Sequence, residues 1–123
     1  MTIRNEELFL DGVWDWAMFK GCFGETRIEP TDIDGFVERK GKFLVLETKH
    51  KDVPIPAGQK ITFDSLAKTG YFSIFVMWGE KDKPEKALLI TRKGEFEYNA
   101  ADIEFCRKVV SSWFLFAENF SND

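Results

Sequence analysis

Two strand-like runs on either side of a short glycine-containing turn constrain this chain most. The runs are residues 31–38 and 43–50, and the turn between them is Arg39-Lys40-Gly41-Lys42. A two-residue loop at Lys40-Gly41 suits a β-hairpin, because glycine readily supplies the positive φ that such loops require. The second run is apolar on both of its faces, which is typical of a strand near the centre of a sheet.

The register that follows from this turn places charged side chains on one face of the hairpin. With Lys40-Gly41 at the tip, Asp34 lies opposite Glu47 and Asp32 lies opposite Lys49. Side chains two residues apart share a face, and directly opposite Cβ atoms lie about 5 Å apart. Two carboxylates at that separation can hold a hard cation such as Mg²⁺ or Mn²⁺ through oxygen. The hairpin therefore predicts a divalent-metal site with an ammonium group beside it.

Asp34-Gly35, the spacing from Asp34 to Glu47, and the E-x-K run Glu47-Thr48-Lys49 together resemble the motif of the PD-(D/E)XK nuclease superfamily. That superfamily includes restriction enzymes, junction resolvases and phage or repair nucleases. The resemblance implies an α/β (α+β) fold with a mixed central sheet flanked by helices, the restriction-endonuclease-like fold. It also implies Mg²⁺- or Mn²⁺-dependent hydrolysis of phosphodiester bonds in nucleic acid, with DNA as the expected substrate.

The same resemblance gives each motif residue a role. Asp34 and Glu47 would bind the metal, together with the main-chain carbonyl of Thr48. Lys49 would orient or activate the attacking water, or stabilise developing charge. Asp32 has two interpretations: it is a further metal ligand, or it is an ion-pair partner that holds Lys49.

Two further parts of the family pattern are incomplete in this chain. Some exonuclease-like members carry Q-x-x-x-Y on the helix after the E-x-K strand, and here Phe63 stands where the tyrosine would be. Gln59 is then either a contact to a phosphate or to a water at the metal, or polar surface at a helix start. Many members also have a glutamate on their first helix, for which spacing does not choose among Glu6, Glu7, Asp11, Asp15 and Glu25.

Basic side chains concentrate at the hairpin although the chain is acidic overall. The chain has 17 Lys and Arg against 21 Asp and Glu, a net charge of −4. This balance disfavours avid nonspecific binding of nucleic acid, which depends on neutralising phosphates. Residues 39–51 nevertheless hold five basic side chains, which apart from Lys49 form a solvated hairpin tip or a local contact to nucleic acid. Lys51 and, further on, Lys60 are the candidate contacts.

The rest of the chain alternates between helical and strand-like patterns. Helices are predicted over residues 13–20, 58–69 and 100–119. Strands are predicted over residues 25–29, 71–78 and 87–91, and residues 92–98 are compatible with one more. Loops are predicted over residues 51–57 and 79–86.

Helix ends and faces also have sequence signals. Gly70 is expected to end the helix over 58–69, and Asn99 to cap the last helix. The predicted core-facing side chains of these helices are Ile61, Leu66, Ala67, Ile103, Cys106, Val110, Trp113 and Ala117. Phe114, Phe116 and Phe120 give the last helix further apolar surface, which is either core or an oligomer contact.

Composition and length indicate one intracellular domain over residues 1–123. Cys22 and Cys106 are far apart and are expected to be free thiols. The N-terminus lacks a signal-peptide layout and no apolar run is long enough to cross a bilayer, so we expect a cytoplasmic protein, the cytoplasm of a phage-infected cell included. His50 is the single histidine, which disfavours multi-histidine metal sites, and by alternation it points away from the face of Lys49.

The motif resemblance therefore predicts a metal-dependent nuclease. The sequence has no glycine-rich phosphate-binding loop, so it gives no support for the use of a nucleotide cofactor. So short a chain is expected to act as a homodimer or higher oligomer, in order to grip a duplex. The alternative is a catalytically inactive nuclease-like binding or adaptor module, and a third interpretation is a non-nucleolytic α/β phage protein. Endonucleolytic and exonucleolytic cleavage, and DNA and RNA, stay open at this point.

Overall fold

A five-stranded mixed β-sheet is the largest element of the computed structural model, which describes residues 14–120. The chain divides into two units, residues 1–31 and residues 32–123, and the sheet belongs to the second. Its strands lie side by side in chain order: β1 (Gly35–Arg39), β2 (Lys42–Lys49), β3 (Phe72–Glu80), β4 (Lys83–Thr91) and β5 (Gly94–Tyr98). The helices of this unit are α1 (Ala57–Lys68) and α2 (Ile103–Asn119).

The pairing of the strands makes the sheet mixed. β2 and β3 are parallel, while the other three neighbouring pairs are antiparallel. A parallel connection needs a crossover, and α1 supplies it between β2 and β3. The prediction of a mixed sheet with helices is thereby confirmed at the level of an α+β fold.

The predicted hairpin turn and its register are present. Lys40 and Gly41 have φ values of 51° and 79°, the positive pair that a two-residue hairpin loop favours. The ladder runs from Arg39 opposite Lys42 to Gly35 opposite Leu46. It ends there, so the first strand is shorter than the predicted run from residue 31. Asp32 and Asp34 precede the ladder instead of belonging to it.

One helix covers each face of the sheet. Phe63 and Ala67 of α1 pack against Val45 and Ile74, whereas α2 packs Cys106, Trp113 and Ala117 against Leu44, Phe75 and Ala87. Leu44 and Val45 are adjacent in β2 and both are 0% exposed, which confirms that this strand is buried on both faces. Burying a side chain of this size contributes about 1.5–3 kcal/mol.

Helix α1 agrees with its predicted span but not with all of its predicted core face. The Gly70 N–H donates to the Ala67 carbonyl at 3.0 Å with φ 82°, so the glycine end of the helix is confirmed. Ile61 is 67% exposed, and its prediction as a core residue is wrong. Phe63, four residues before Ala67, takes the buried position because those two side chains lie on the same face of the helix.

The predicted loop over residues 79–86 is wrong, because β3 and β4 extend into it and form a tight hairpin. Asp82 turns the chain with φ 61°, and strand pairing resumes at Lys83. A bulge lies at Gly79, where a Cβ would stand 2.3 Å from the carbonyl oxygen of Lys83. Glu80, Lys83, Glu85 and Lys86 are exposed strand positions, which a hydropathy pattern does not distinguish from a loop, while Lys81 and Asp82 form the turn.

Helix α2 begins later than predicted. The Asp102 carboxylate accepts the Phe105 N–H at 2.9 Å, so Asp102 is the N-cap and the prediction of Asn99 is wrong. Cys106, Trp113 and Ala117 are buried as predicted, but Ile103 is 47% exposed. The further apolar side chains Phe114, Phe116 and Phe120 are 46%, 49% and 38% exposed, so within the second unit they are not core.

Residues 14–31, the described part of the first unit, contain only a short 3₁₀ helix at Ala17–Phe19. The longer predicted helix over 13–20 is wrong for residues 14–20, and residue 13 lies outside the described residues. Trp16 has a left-handed φ of 66°, which interrupts helical geometry before Ala17. No strand forms over 25–29, where the Thr26 hydroxyl donates to the Phe23 carbonyl at 2.7 Å in a turn.

Candidate active site

Glu47 is a carboxylate buried at the end of a central strand. It lies in β2, on the same face as Val45, and only 2% of its surface is exposed. β1 stops one ladder pair short of it, so the main chain of Asp34 occupies the adjoining position. A buried carboxylate requires hydrogen bonds or a cation, since the low-dielectric interior disfavours its charge.

Three groups surround the Glu47 carboxylate. Its Oε1 accepts the Asp34 N–H at 3.1 Å, and its Oε2 accepts the Gln59 side-chain amide N–H at 3.2 Å. The Lys49 ammonium lies 3.9 Å from the same Oε2. These contacts come from the hairpin and from the first turns of α1, so the crossover helix helps to build the site.

Burial raises the pKa of Glu47 above its usual value, and the negative charge of Asp34 raises it further. The Asp34 main-chain hydrogen bond, the Lys49 charge and the Gln59 hydrogen bond act in the opposite direction. The opposing contacts do not fully offset the cost of desolvation. The site therefore favours the arrival of a positive charge at Glu47, either a proton or a cation.

Asp34, just before β1, contacts Thr48 near the end of β2. Its Oδ2 accepts the Thr48 N–H at 3.0 Å and the Thr48 hydroxyl at 3.2 Å. Its Oδ1 has no hydrogen-bond partner among residues 14–120. Asp34 and Glu47 are thus brought to one place by main-chain contacts, with one carboxylate oxygen of Asp34 left for another ligand.

Lys49 is partly enclosed at the sheet surface. Its side chain is 16% exposed, and the parallel register places it beside Trp78 of β3. The Trp78 indole N–H donates to the Val53 carbonyl at 2.6 Å, which fixes the loop after β2 over this part of the sheet. The sequence analysis missed Trp78, because its proximity depends on the β2–β3 register that the crossover sets.

Gln59 is brought to the site by the start of α1. Besides the hydrogen bond to Glu47, its side-chain carbonyl Oε1 is buried without a hydrogen-bond partner among the described residues. An unsatisfied buried acceptor is costly, and sites that await a ligand are one reason for such an atom.

The two candidate nucleic-acid contacts are engaged with carboxylates of the second unit. Lys60 binds Asp64 at 2.9 Å and also binds Glu95, and these hydrogen bonds raise its pKa. Lys51 lies 3.9 Å from Glu85 and is mostly exposed. Lys60 would have to leave two carboxylates in order to bind a phosphate.

Of the other predicted acidic positions, Asp15, Glu25 and Asp32 lie within the described residues. Asp32 is exposed and lies two residues before Asp34, outside β1. Asp15 belongs to the first unit, where its carboxylate accepts the Ala17 N–H at 2.9 Å, and Glu25 belongs to that unit as well. Glu6, Glu7 and Asp11 lie outside the described residues.

The basic side chains of the hairpin tip are bound to the end of α2. The Arg39 guanidinium and the Lys40 ammonium both contact Glu118, with Arg39 Nη2 at 2.9 Å and Lys40 Nζ at 3.4 Å from its Oε1. The hydrogen bond from Arg39 lowers the pKa of Glu118 to about 2. These cations connect the hairpin to α2 through Glu118, while 45% and 48% of the side-chain surfaces of Arg39 and Lys40 stay exposed, as expected for a solvated hairpin tip.

The acidic side chains of the described range are dispersed. No three His, Cys, Asp or Glu side chains in that range gather closely enough to hold a metal ion. The predicted ligand set has two acidic side chains and one main-chain carbonyl, so it does not depend on a third acid. His50, the single histidine, is exposed. None of the helices within residues 14–120 has the length and apolar character that crossing a membrane requires.

Comparisons with protein-family models, with curated proteins and with solved structures found nothing that matches this chain.

Proposed function

We propose that this protein is a metal-dependent nuclease of the PD-(D/E)XK type, which hydrolyses phosphodiester bonds of nucleic acid, with DNA as the expected substrate. The observation that carries the proposal is the buried Glu47 carboxylate, hydrogen-bonded to the main chain of Asp34, with Lys49 at 3.9 Å. These are the residues to which the motif resemblance gives catalytic roles. At an ordinary solvated sheet end the carboxylate would be exposed to water, whereas Glu47 is only 2% exposed.

The donor atoms at this place fit Mg²⁺ or Mn²⁺. Asp34 Oδ1, the Glu47 carboxylate and the main-chain carbonyl of Thr48 are oxygen donors, and hard cations prefer oxygen. Burial raises the pKa of Glu47 despite its hydrogen bonds and the nearby Lys49, so a divalent cation would stabilise the ionised carboxylate. The unpartnered Oε1 of Gln59 adds a further oxygen next to Glu47.

Each residue of the site has a chemical task in this proposal. A bound divalent cation supplies charge for the phosphate oxygens and lowers the pKa of water. Lys49 holds a positive charge where negative charge develops on the phosphate, and its enclosure beside Trp78 strengthens that interaction. Gln59 holds the Glu47 carboxylate in place through its hydrogen bond.

The fold supports the same proposal through its connections. An antiparallel hairpin, a crossover helix and a parallel third strand are the elements that a restriction-endonuclease-like sheet requires around its motif. The exposed Phe114 and Leu115 of α2, 46% and 59% exposed, favour a homodimer or higher oligomer as the active form.

The proposal is tested by cleavage of plasmid DNA, single-stranded DNA and RNA with Mg²⁺, Mn²⁺ or EDTA. We expect metal-dependent cleavage that falls by about 10³-fold in Glu47→Gln and by about 10²-fold or more in Lys49→Met. Glu104→Gln, an exposed glutamate at the start of α2, is the matched control and should retain activity. Circular dichroism and thermal melting show whether each variant is folded.

A catalytically inactive nuclease-like binding module is the second candidate. One observation favours it: the Asp34 carboxylate already holds the Thr48 N–H and hydroxyl. In that case the wild-type protein cleaves none of the three substrates with either metal and binds nucleic acid equally well in EDTA. Metal-dependent cleavage that Glu47→Gln leaves intact would contradict the proposed site directly.

A further inference from the structure

A groove of about 870 Å³ lies between the sheet and α2. It runs past the start of β3 and the end of β4, with Phe72, Thr91 and Trp113 among its lining residues. Asp34, Glu47, Lys49 and Gln59 do not line it, so it is separate from the candidate active site. Its volume is in the range of sites that enclose small organic ligands.

The inner wall of the groove is aromatic. The aromatic residues that line it on the α2 side are Tyr98, Phe105, Trp113, Phe116 and Phe120. Trp113 is 7% exposed, and its indole N–H has no acceptor among residues 14–120. A buried donor without an acceptor favours a ligand that brings an acceptor oxygen, once the neighbouring side chains adjust to admit it.

Among the described residues, the charged side chains that line the groove are all basic. Its lining includes Lys42, Arg92, Lys93 and Lys108, and none of its lining residues is acidic, in a chain with 21 Asp and Glu. Arg92, Lys93 and Lys108 are exposed and form no ion pair with the described residues. Lys42 differs, because it is 5% exposed and donates to the Gly70 carbonyl at 3.2 Å.

We propose that this groove binds a small organic carboxylate with an apolar alkyl or aromatic body. The aromatic wall would bury the body, while Arg92, Lys93 and Lys108 would bind the carboxylate at the rim. Carboxylate oxygens only accept hydrogen bonds, so they also suit the cations and the hydroxyls of Ser73 and Ser112. The proposal does not rest on nuclease activity.

Isothermal titration of the full chain with decanoate tests this assignment. Decyltrimethylammonium, with the same alkyl chain and the opposite charge, and acetate, with the carboxylate alone, are the comparison ligands. We expect decanoate to bind at one site, and the other two to bind at least tenfold more weakly. Glu47→Gln should leave the decanoate Kd unchanged, which separates this test from the test of the nuclease.

Two pairs of variants locate the binding. Arg92→Gln/Lys93→Gln should weaken decanoate binding about tenfold, since two exposed charge contacts are lost. Lys81→Gln/Lys83→Gln removes the same charge at the β3–β4 turn, outside the groove, and should leave the Kd within twofold. Ser112→Phe should fill the groove and abolish binding, whereas Ser111→Phe, next to it on α2 but not in the lining, should not.

Several results would overturn the proposal. Equal binding of decanoate and decyltrimethylammonium would indicate nonspecific apolar adsorption. Equal loss in Ser111→Phe and Ser112→Phe would place the site elsewhere. Binding of a single-stranded oligonucleotide that Arg92→Gln/Lys93→Gln abolishes, with no decanoate binding by the wild type, would assign the groove to nucleic acid instead.

Discussion

The two ends of β2 carry the same residue type in opposite surroundings. Lys42, at the hairpin end, is 5% exposed and lies 3.6 Å from the centre of the Phe120 ring, with the Gly70 carbonyl as its hydrogen-bond acceptor. Lys49, at the other end, faces the Glu47 carboxylate at 3.9 Å. One lysine is held by aromatic faces and a main-chain oxygen, and the other by a negative charge.

This difference separates a structural cation from a candidate catalytic one. Lys42 has its contacts satisfied by the protein, so its ammonium helps to fasten α2 to the sheet. The long contact between Lys49 and Glu47 leaves the lysine donors able to meet a substrate. The chemistry of each lysine therefore follows from the neighbours that the fold supplies.

The largest expected effect on stability comes from removing Lys42. Lys42→Ala should lower the free energy of unfolding by about 3 kcal/mol, because the cation–π contacts, the buried stem and the Gly70 hydrogen bond are lost together. Lys49→Ala should cost less, about 1–2 kcal/mol, because its contact with the buried Glu47 carboxylate is long and Glu47 keeps its hydrogen bonds to Asp34 and Gln59. Urea unfolding measures both, and Lys42→Met controls for the loss of stem packing. Equal losses at the two lysines would refute the distinction.

Mg²⁺ or Mn²⁺ should bind at the end of β2 that carries Glu47 and not at the end that carries Lys42. Mg²⁺ or Mn²⁺ at about a hundred times its Kd should stabilise the wild-type protein by about 2.7 kcal/mol, since only the folded chain assembles the ligands. In thermal melting, the metal should still stabilise Lys42→Met but should not stabilise Glu47→Gln. A gain that persists in Glu47→Gln would place the metal elsewhere on the chain.

Glu47 should give the metal-free protein a loss of stability as pH rises. Its folded-state pKa is raised above 4.5, chiefly by burial, so the folded chain holds this proton more tightly than the unfolded chain does. The contribution is present below pH 4.5 and is lost as the pH rises through the raised pKa. Urea unfolding in EDTA should show that Glu47→Gln removes this decline. An unchanged pH profile in Glu47→Gln would contradict the burial of the charge.

Glu118, near the hairpin end, should give the smallest effect and the opposite slope. Its pKa falls from 4.5 to about 2 because Arg39 and Lys40 bind it. The stabilisation is complete above pH 4.5 and is lost as the pH falls toward about 2. In this pH window, Glu118→Gln should reduce the dependence of the free energy of unfolding on pH. Glu104→Gln, on the same helix, should leave that dependence unchanged. The same flattening in both variants would mean that the Arg39 contact is not the cause.

The local part of the fold was predictable from the chain, because it depends on residues close together in sequence. The positive φ at Lys40-Gly41 sets the hairpin register, and Gly70 ends α1, as the sequence predicted. The end of β2 with Glu47 and Lys49 on one face follows from strand alternation alone. The prediction of Asn99 as the capping residue was wrong, because Asn99 and Asp102 are both suitable N-cap types and the helix begins after Asp102.

The sequence by itself determined the hairpin register and the shared face of Glu47 and Lys49, because alternation and turn geometry act over a few residues. The ladder ends at Gly35, so the positions of Asp32 and Asp34 did not follow from alternation. Only the tertiary structure decided how deeply Glu47 is buried, that Gln59 reaches it, and that Trp78 lies beside Lys49. It also decided that Glu95 of β5 reaches Lys60, whereas the pairing of Lys60 with Asp64 is a local contact one turn along α1. Those outcomes depend on how the crossover helix and the distant strands pack, and burial and charge pairing are set by neighbours that lie far apart along the chain.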